Sequence, residues 1–324
     1  MIADADPHGF VTFDSAANQL RGYTHDGVLR WTEDDVSPGE VHCAEACPDA
    51  GFSVQGPKGF PAETSSIVWR SGKTSRTERN FDDPAVNLFW TAGPDRWVAA
   101  DSAGMVWNDG KQRSKKIAGW PAGAQGKTSQ DGKKLLVSVP EGDSMEAAWK
   151  GFLVGMDDAR PGSPVPLSRK LPGPVGCLSR EGDWGVTLGN DSQRVSLPEG
   201  KRLEAFGVFS SECVANDELV FSGEYEADEE GGRQKLELRS IPTDAEAGAT
   251  AFGSSRISVH RECGVLTSRG ILNSLTLGTD ARPTDHKVQD AVVVDNGTVL
   301  AVAHDGKPKK FHLRKTDEGC LIQP

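Results

Sequence analysis

Short apolar runs alternate with turn residues along the whole chain. Each run holds three to five β-forming residues, opened by Asp, Asn or Gly and often closed by one of the same three. The first copies are Gly9-Phe-Val-Thr-Phe-Asp14, Ala50-Gly-Phe-Ser-Val-Gln-Gly56, Asp95-Arg-Trp-Val-Ala-Ala-Asp101 and Asp131-Gly-Lys-Lys-Leu-Leu-Val-Ser-Val139. They continue as Glu181-Gly-Asp-Trp-Gly-Val-Thr-Leu188 and Asn216-Asp-Glu-Leu-Val-Phe-Ser-Gly223. The last two are Gly270-Ile-Leu-Asn-Ser-Leu-Thr-Leu-Gly278 and Asn296-Gly-Thr-Val-Leu-Ala-Val-Ala303. Apolar residues stand at alternating or consecutive positions in each copy, the pattern of a strand buried in a sheet. Nowhere do they recur at i, i+3, i+4 and i+7 over about a dozen positions, so no long amphipathic helix is predicted.

From Gly9 to Asn296 the eight copies leave seven gaps over 287 residues, a mean of 41. Individual gaps run from under 30 to over 50, so the loops differ in length or one copy is spurious. A period of ~40–45 residues is that of a four-stranded propeller blade. One such strand cannot bury both its faces, whereas sheets packed radially about an axis do so and leave only short edges. The expected fold is therefore all-β, a single β-propeller domain over residues 1–324 with seven or eight four-stranded blades. Its ring is expected to close through the N- and C-terminal strands, the strand near Gly9–Asp14 pairing with the last blade. The dipeptides Asp26-Gly27, Asp109-Gly110, Asp131-Gly132, Asn296-Gly297 and Asp305-Gly306 suit type I′ hairpin turns, whose two central residues take positive φ.

Composition gives these turns a material cause. With 37 Gly and 19 Pro in 324 residues, turn formers make up about 17% of the chain against a usual ~12%. The formal net charge of −11, from 36 basic and 47 acidic residues, argues against nucleic acid as a partner. No stretch approaches the ~18 apolar residues of a membrane span. The start, Met1-Ile-Ala-Asp-Ala-Asp-Pro7, has neither the basic nor the apolar region of a signal peptide. Either the chain is cytoplasmic, or it begins after a removed signal or lipid anchor.

The cysteines bear on that choice. Cys43, Cys47, Cys177, Cys213, Cys263 and Cys320 are an even set, compatible with three disulfides of undetermined connectivity. Cys43 and Cys47 could close a small local loop, and the other four could pair between neighbouring repeats. Disulfides would place the protein outside the cytoplasm, secreted or anchored at the cell surface; buried thiols in a cytoplasmic protein are the alternative. His42, Cys43 and Cys47 offer three possible metal ligands, but no second pair at zinc-like spacing follows, and no metal is expected.

The segment Trp97-Val-Ala-Ala-Asp-Ser-Ala-Gly-Met-Val-Trp107 resembles the blade repeat of quinoprotein-type propellers, and Gly9–Asp14 followed by Gly27-Val-Leu-Arg-Trp31 is similar to a stretched copy of it. Ser129-Gln-Asp-Gly-Lys-Lys-Leu-Leu136 resembles the Ser-Pro-Asp-Gly-Lys turn of TolB-type and WD-repeat propellers, with Gln130 in the Pro position; Ser179-Arg-Glu-Gly-Asp-Trp184 is a looser match. These likenesses imply a superfold and say little about activity. The vicinal cysteines of quinone-using dehydrogenases are missing, so no cofactor is expected. The richness in Gly, Ala and Thr resembles an actinobacterial secreted or lipoprotein domain.

Candidate chemistry is sparse. Eight tryptophans lie in the first 184 residues. Trp31 and Trp107 recur at blade positions, where an indole closes one blade on the next. Trp90 and Trp120 fit the repeat least and are the candidates for stacking on a ligand. The acidic pairs Asp34-Asp35, Asp82-Asp83 and Asp157-Asp158 are poor catalytic pairs, because neighbours on a strand point to opposite faces. Glu224-Tyr-Glu-Ala-Asp-Glu-Glu230 reads as a solvated hairpin loop. The histidines show no metal-binding spacing; His25 and His304 each precede an Asp-Gly turn and suggest turn caps. Lys111–Lys116 and Lys307–Lys310 read as outer-strand lysines that guard an edge. The expected function is a non-catalytic extracytoplasmic binding or scaffold module that recognises a protein or an envelope glycan on one propeller face. The alternative is a propeller-fold polysaccharide hydrolase or lyase with carboxylates, or a His, at the axial mouth. A structural role in a larger assembly is a third class.

Overall fold

A computed structural model describes residues 1–44, 46–56, 63–83, 86–94, 96–101, 104–109, 115–118, 124–129, 132–142, 148–157, 160–179 and 181–209. It further describes the backbone of strands at 215–216, 219–224, 233–240, 246–252, 257–260, 264–268 and 272–275, and then 288, 290–294, 297–303, 305–317 and 319–323. Among the described residues there are strands and no helix, and the strands fall into eight antiparallel sheets that follow one another along the chain.

The first sheet is β1 (Ile2–Asp6), β2 (Gly9–Asp14), β3 (Gln19–Thr24) and β4 (Leu29–Glu33), each strand paired with the next. The second repeats the order with β5 (Pro38–Cys43), β6 (Ala50–Gln55), β7 (Ser65–Ser71) and β8 (Thr74–Phe81). The third comprises β9 (Asn87–Thr91), β10 (Arg96–Asp101), β11 (Gly104–Asp109) and β12 (Lys115–Ala118). In the fourth, β13 (Gln125–Thr128) and β14 (Lys134–Pro140) lead to β15 (Trp149–Asp157), which pairs with two short pieces, β16 (Arg160–Pro161) and β17 (Val165–Pro166). The fifth is β18 (Val175–Leu178), β19 (Trp184–Thr187), β20 (Gly189–Ser196) and β21 (Arg202–Phe209). The sixth is β22 (Ala215–Asn216), β23 (Leu219–Glu224), β24 (Arg233–Ser240) and β25 (Glu246–Phe252). Three strands form the seventh, β26 (Ile257–His260), β27 (Gly264–Ser268) and β28 (Leu272–Leu275). The eighth ends the chain with β29 (Asp290–Val293), β30 (Thr298–Val302), β31 (Pro308–Thr316) and β32 (Gly319–Gln323).

Seven of the eight sequence copies are second strands: β2, β6, β10, β14, β19, β23 and β30. These are apolar in consecutive runs because both faces are covered, as in β14, where Leu135 to Val139 are all buried. The copy at 270–278 instead falls on β28, the third strand of its sheet, and the second strand there is β27. That displacement accounts for the long gap before the copy and the short gap after it.

The cores lie between successive sheets. Val11, Leu20 and Trp31 of the first sheet pack with Ala50, Phe52 and Val68 of the second. Ile67 and Phe81 of the second meet Leu88, Trp97 and Val106 of the third. Met105 and Trp107 of the third meet Leu135, Val137 and Val154 of the fourth, and Leu136 and Leu171 carry the core on to Val175 and Val195 of the fifth. Ile2, Phe10 and Tyr23 of the first sheet also pack on Leu300 and Val302 of the eighth. Trp31 does what its repeat position suggests: its indole Nε1 donates to the Pro48 carbonyl, 2.8 Å away in the second sheet. The ring lies over Gly22, where an added Cβ would come within 2.3 Å of it.

The strand Gly9–Asp14 pairs with β1 and β3, not with a C-terminal strand. The first and last sheets thus meet by side-chain packing, each keeping its own ladder. The Asp-Gly turns also differ from expectation. Gly27 and Gly306 have φ of +78° and +77°, but Asp26 and Asp305 are not among the non-glycine residues with positive φ, which are Asn18 and Asp35 in the described set. Gly27 N donates to Thr24 O at 2.9 Å while Thr24 N donates to Val28 O at 3.0 Å, and Gly306 N to Ala303 O and Ala303 N to Lys307 O repeat the arrangement, each at 2.9 Å. These are three-residue loops with one left-handed glycine, the bulged hairpin, in place of type I′. One residue longer, the turns at Ser129 and Ser179 match each other. Gly132 and Gly182 donate to the serine carbonyls at 2.9 and 3.0 Å, and the serine hydroxyls accept Lys134 N at 3.0 Å and, at the equivalent position, Trp184 N at 3.3 Å.

Candidate functional site

Polar residues on the first strands of the sheets form a belt. Successive first strands lie against one another, β1 with β5, β5 with β9, β9 with β13 and β13 with β18, and β29 lies against β1. Period-two alternation puts Asp4 and Asp6 on one face of β1, and Glu40 and His42 on one face of β5. Asp4 accepts the Cys43 amide at 2.6 Å and Asp6 the Cys47 amide at 2.7 Å. Asp290, buried on β29, accepts the Ile2 amide at 2.7 Å. Thr128 Oγ1 donates to Phe89 O at 3.0 Å, and His42 Nε2 lies 2.7 Å from Leu88 O. Glu40 reaches past β9 to Lys127 Nζ on β13, 3.5 Å away.

Within the belt, His42 and Glu40 shift one another's protonation. His42 Nε2 and Glu40 Oε2 are 3.8 Å apart. Burial alone would lower the imidazole pKa, but Glu40, then Asp4 and the Leu88 carbonyl, more than offset it, and the net shift is upward. Burial would raise the Glu40 pKa, yet His42 and Lys127 outweigh it and hold the carboxyl below its ordinary value. A raised histidine contributes stability that is complete below its unfolded pKa and is lost as pH rises through the folded one; the depressed carboxyl contributes above its unfolded pKa and loses this as pH falls. The pair is therefore worth most between 4.5 and 6.5, the ordinary values of the two groups. Thermal melts should show wild type losing more stability than His42→Ala between about pH 6 and about pH 9. Parallel losses would refute the coupling.

The other residues singled out in the sequence fall as follows. Trp90 on β9 is half-buried, its ring packed on the core between the third and fourth sheets. Trp120 lies outside the described residues. Cys43 and Cys47 stand at disulfide-bonding distance with Cα atoms 5.0 Å apart, bridging the β5–β6 turn. Cys177 is disulfide-bonded too; Cys213, Cys263 and the Cys320 side chain lie outside the described residues. Asp35 sits at φ +58° in a turn and Asp83 is buried beside Ser65; Asp158, His304 and the 225–230 acidic loop lie outside the description. His25 pairs with Asp26 at 3.0 Å while the Thr24 hydroxyl accepts the Val28 amide at 3.2 Å, so threonine caps that turn. Lys307 and Lys310 pair with Asp305 and Asp26 at 2.8 and 3.8 Å.

A second feature escaped the sequence altogether. The fourth sheet's outer edge pairs Leu167 N with Gly151 O at 2.9 Å and Leu171 N with Trp149 O at 2.8 Å. Between these points residues 168–170 oppose Lys150 alone, so they bow outward and leave a groove of about 160 Å³. Its floor is Phe152, Pro166 and Leu167, and its rim is Lys150, Arg169 and Lys170. Glu141 pairs with both ammonium groups, Lys150 Nζ 2.8 Å from Oε1 and Lys170 Nζ 2.5 Å from Oε2, and the two lysines hold its carboxyl below the usual range. No signal of period or motif marks this site, because it arises from unequal counts of residues between two ladder bonds.

No protein family and no curated protein sequence matches the chain. Among solved structures, the WD40 domain of Neurospora crassa Pan2 is similar with a TM-score of 0.51 at 8% identity, over 85% of this chain and 88% of that one. The fold is similar to a WD40 β-propeller. Identity this low carries the architecture and nothing of the partner chemistry. Among the described residues no group of three His, Cys, Asp or Glu side chains is placed to hold a metal ion. Among the described residues no helix is long and apolar enough to cross a membrane.

Proposed function

We propose that residues 1–324 form a single eight-bladed propeller that acts outside the cytoplasm as a non-catalytic docking module for a protein partner. What carries the reading is the belt. Asp4 and Asp290 each accept an amide of a neighbouring first strand, Asp6 accepts the Cys47 amide in the β5–β6 turn, and His42 bonds the Leu88 carbonyl. These groups fasten one first strand to the next, as a rigid scaffold requires and as free catalytic acids and bases would not. The packing of the first sheet on the eighth supports a closed ring, and the similarity to a WD40 domain supports a platform whose loops meet partners. The cystines at Cys43–Cys47 and at Cys177 support the extracytoplasmic setting. An envelope glycan stacked on Trp90 is the competing ligand.

Cross-linking in intact cells, followed by reconstitution with the purified partner, tests the module. A single protein that binds with a Kd below ~10 µM and cross-links to the loops would support it. Depolymerisation of a polysaccharide by the purified protein, abolished by Glu40→Gln, would overturn it. The compartment is tested by alkylating the native protein without reductant: a mass showing six modified thiols, one for each cysteine of the chain, would exclude the extracytoplasmic setting.

A further inference from the structure

We propose that the groove at the outer edge of the fourth sheet binds an extended acidic segment of a protein partner, seating one aliphatic side chain between Lys150, Arg169 and Lys170. The inference rests on the docking-module reading and gives it a location and a ligand chemistry. Three observations carry it.

The first is shape. The bulge at 168–170 opens the groove between two fixed backbone bonds, so the depression is built into the ladder and needs no rearrangement to receive a side chain. Phe152, Pro166 and Leu167 offer an apolar floor, and Val165 next to them is 54% exposed.

The second is charge. The chain carries a net −11, yet among the described residues the rim brings three cations together against one carboxylate, that of Glu141. Such a local inversion of sign selects an anionic ligand and disfavours basic ones.

The third is preorganisation. Both lysines are half or more exposed, at 58% and 64%, but Glu141 anchors their Nζ atoms from below. Their remaining N–H donors are held at the rim with less rotamer freedom to lose on binding. A carboxylate arriving from solvent meets donors already in place, while an apolar residue beside it fills the floor.

Backbone addition to the sheet is a poorer mode here. Pro161, Pro164 and Pro166 interrupt this edge, and a proline has no N–H to donate. Recognition falls to side chains.

The test is fluorescence polarisation with a labelled octapeptide of alternating Asp and Glu carrying one central Leu. The expected Kd is on the order of 10–100 µM at low salt, weakening as NaCl is raised. Controls are the same peptide with Ser for Leu and a Lys/Arg peptide with the Leu kept. Replacing Leu should weaken binding about tenfold, a loss of roughly 1.4 kcal/mol, and the basic peptide should not bind. Arg169→Glu, which leaves the Glu141 pairs alone, and Lys150→Glu with Lys170→Glu should each weaken the acidic peptide at least tenfold, with circular dichroism reporting that the fold persists. Equal binding of the Leu and Ser peptides, or displacement by heparin regardless of Leu, would reduce the groove to a patch of charge and overturn the proposal. No binding by any peptide would also overturn it. A partner that cross-links to loops away from 149–171 and is indifferent to Arg169→Glu would remove the groove proposal while leaving the docking-module reading intact.

Discussion

Trp97→Ala should be the most damaging single truncation in the interior, costing about 3–5 kcal/mol. Trp97 is 1% exposed on β10 and packs with Ile67, Leu88, Ala99 and Val106 in the core between the second and third sheets. Phe81 approaches it edge-on, with ring centroids 6.3 Å apart and planes inclined by 66°. Removing the indole strips both sheets of a shared surface, and the strands around it are fixed by their ladders and cannot collapse into the space. Its Nε1 is buried without a hydrogen-bond partner, however. An unpaired buried donor costs roughly 1–3 kcal/mol, so Trp97→Phe gives up volume but also removes that penalty. Urea unfolding midpoints should therefore rank wild type and Trp97→Phe close together and Trp97→Ala far below. If phenylalanine were as costly as alanine, the nitrogen would have to be engaged, and the packing described here would be wrong.

The contrast between Trp97 and Trp90 bears on what sequence reading can do. Both lie in one β-hairpin and both are indoles, but only Trp97 sits in the repeated second-strand pattern, so only its burial is legible from spacing. The second strands could be found because they are buried on both faces, which writes a consecutive apolar run into the sequence. The first strands were missed as a functional layer because their side chains alternate between a core and a polar face. Asp4 and Asp6, or Glu40 and His42, then read as ordinary surface residues. An i, i+2 pairing of ionisable residues just ahead of a second strand is the available signal, visible only once the register is known.

The seventh sheet shows the opposite failure. The stretch Gly270–Gly278, in which Ile and Leu are interspersed with polar residues, carries the pattern of a second strand, and only the pairing order shows that it holds the third. Turn chemistry was readable only in part. Gly27 and Gly306 do take positive φ, as Asp-Gly demands, but the number of loop residues sets the hairpin class, and that depends on where the ladder resumes. The groove at 168–170 was illegible for the same reason: it is a register mismatch, and a sequence shows residues without showing which bonds they make.

The meeting of the chain's two ends provides the second large effect. Phe10 is fully buried, stacks on Tyr23 with centroids 5.2 Å apart, and touches the eighth sheet at Leu300 and Val302. Asp290 closes the same seam from the other side through the Ile2 amide. Phe10→Ala should cost about 3–5 kcal/mol, and Asp290→Ala roughly 1–3 kcal/mol for the amide left unpaired. The two sites hold one seam, so the double variant should lose less than the sum of the singles, by a coupling of about 0.5 kcal/mol or more. Location separates this from a loss felt by one sheet alone. In hydrogen exchange, Phe10→Ala should speed the amides of β30 together with those of β2, while β10 and β14 keep their protection. Unchanged protection of β30 would mean that the first and last sheets do not support one another, and the proposal of a closed ring would fall with it. A propeller without interleaved terminal strands depends on such a seam. Ile2 and Asp290, 288 positions apart, then meet through one amide and one carboxylate, and no shared ladder joins the first sheet to the last once such contacts are gone.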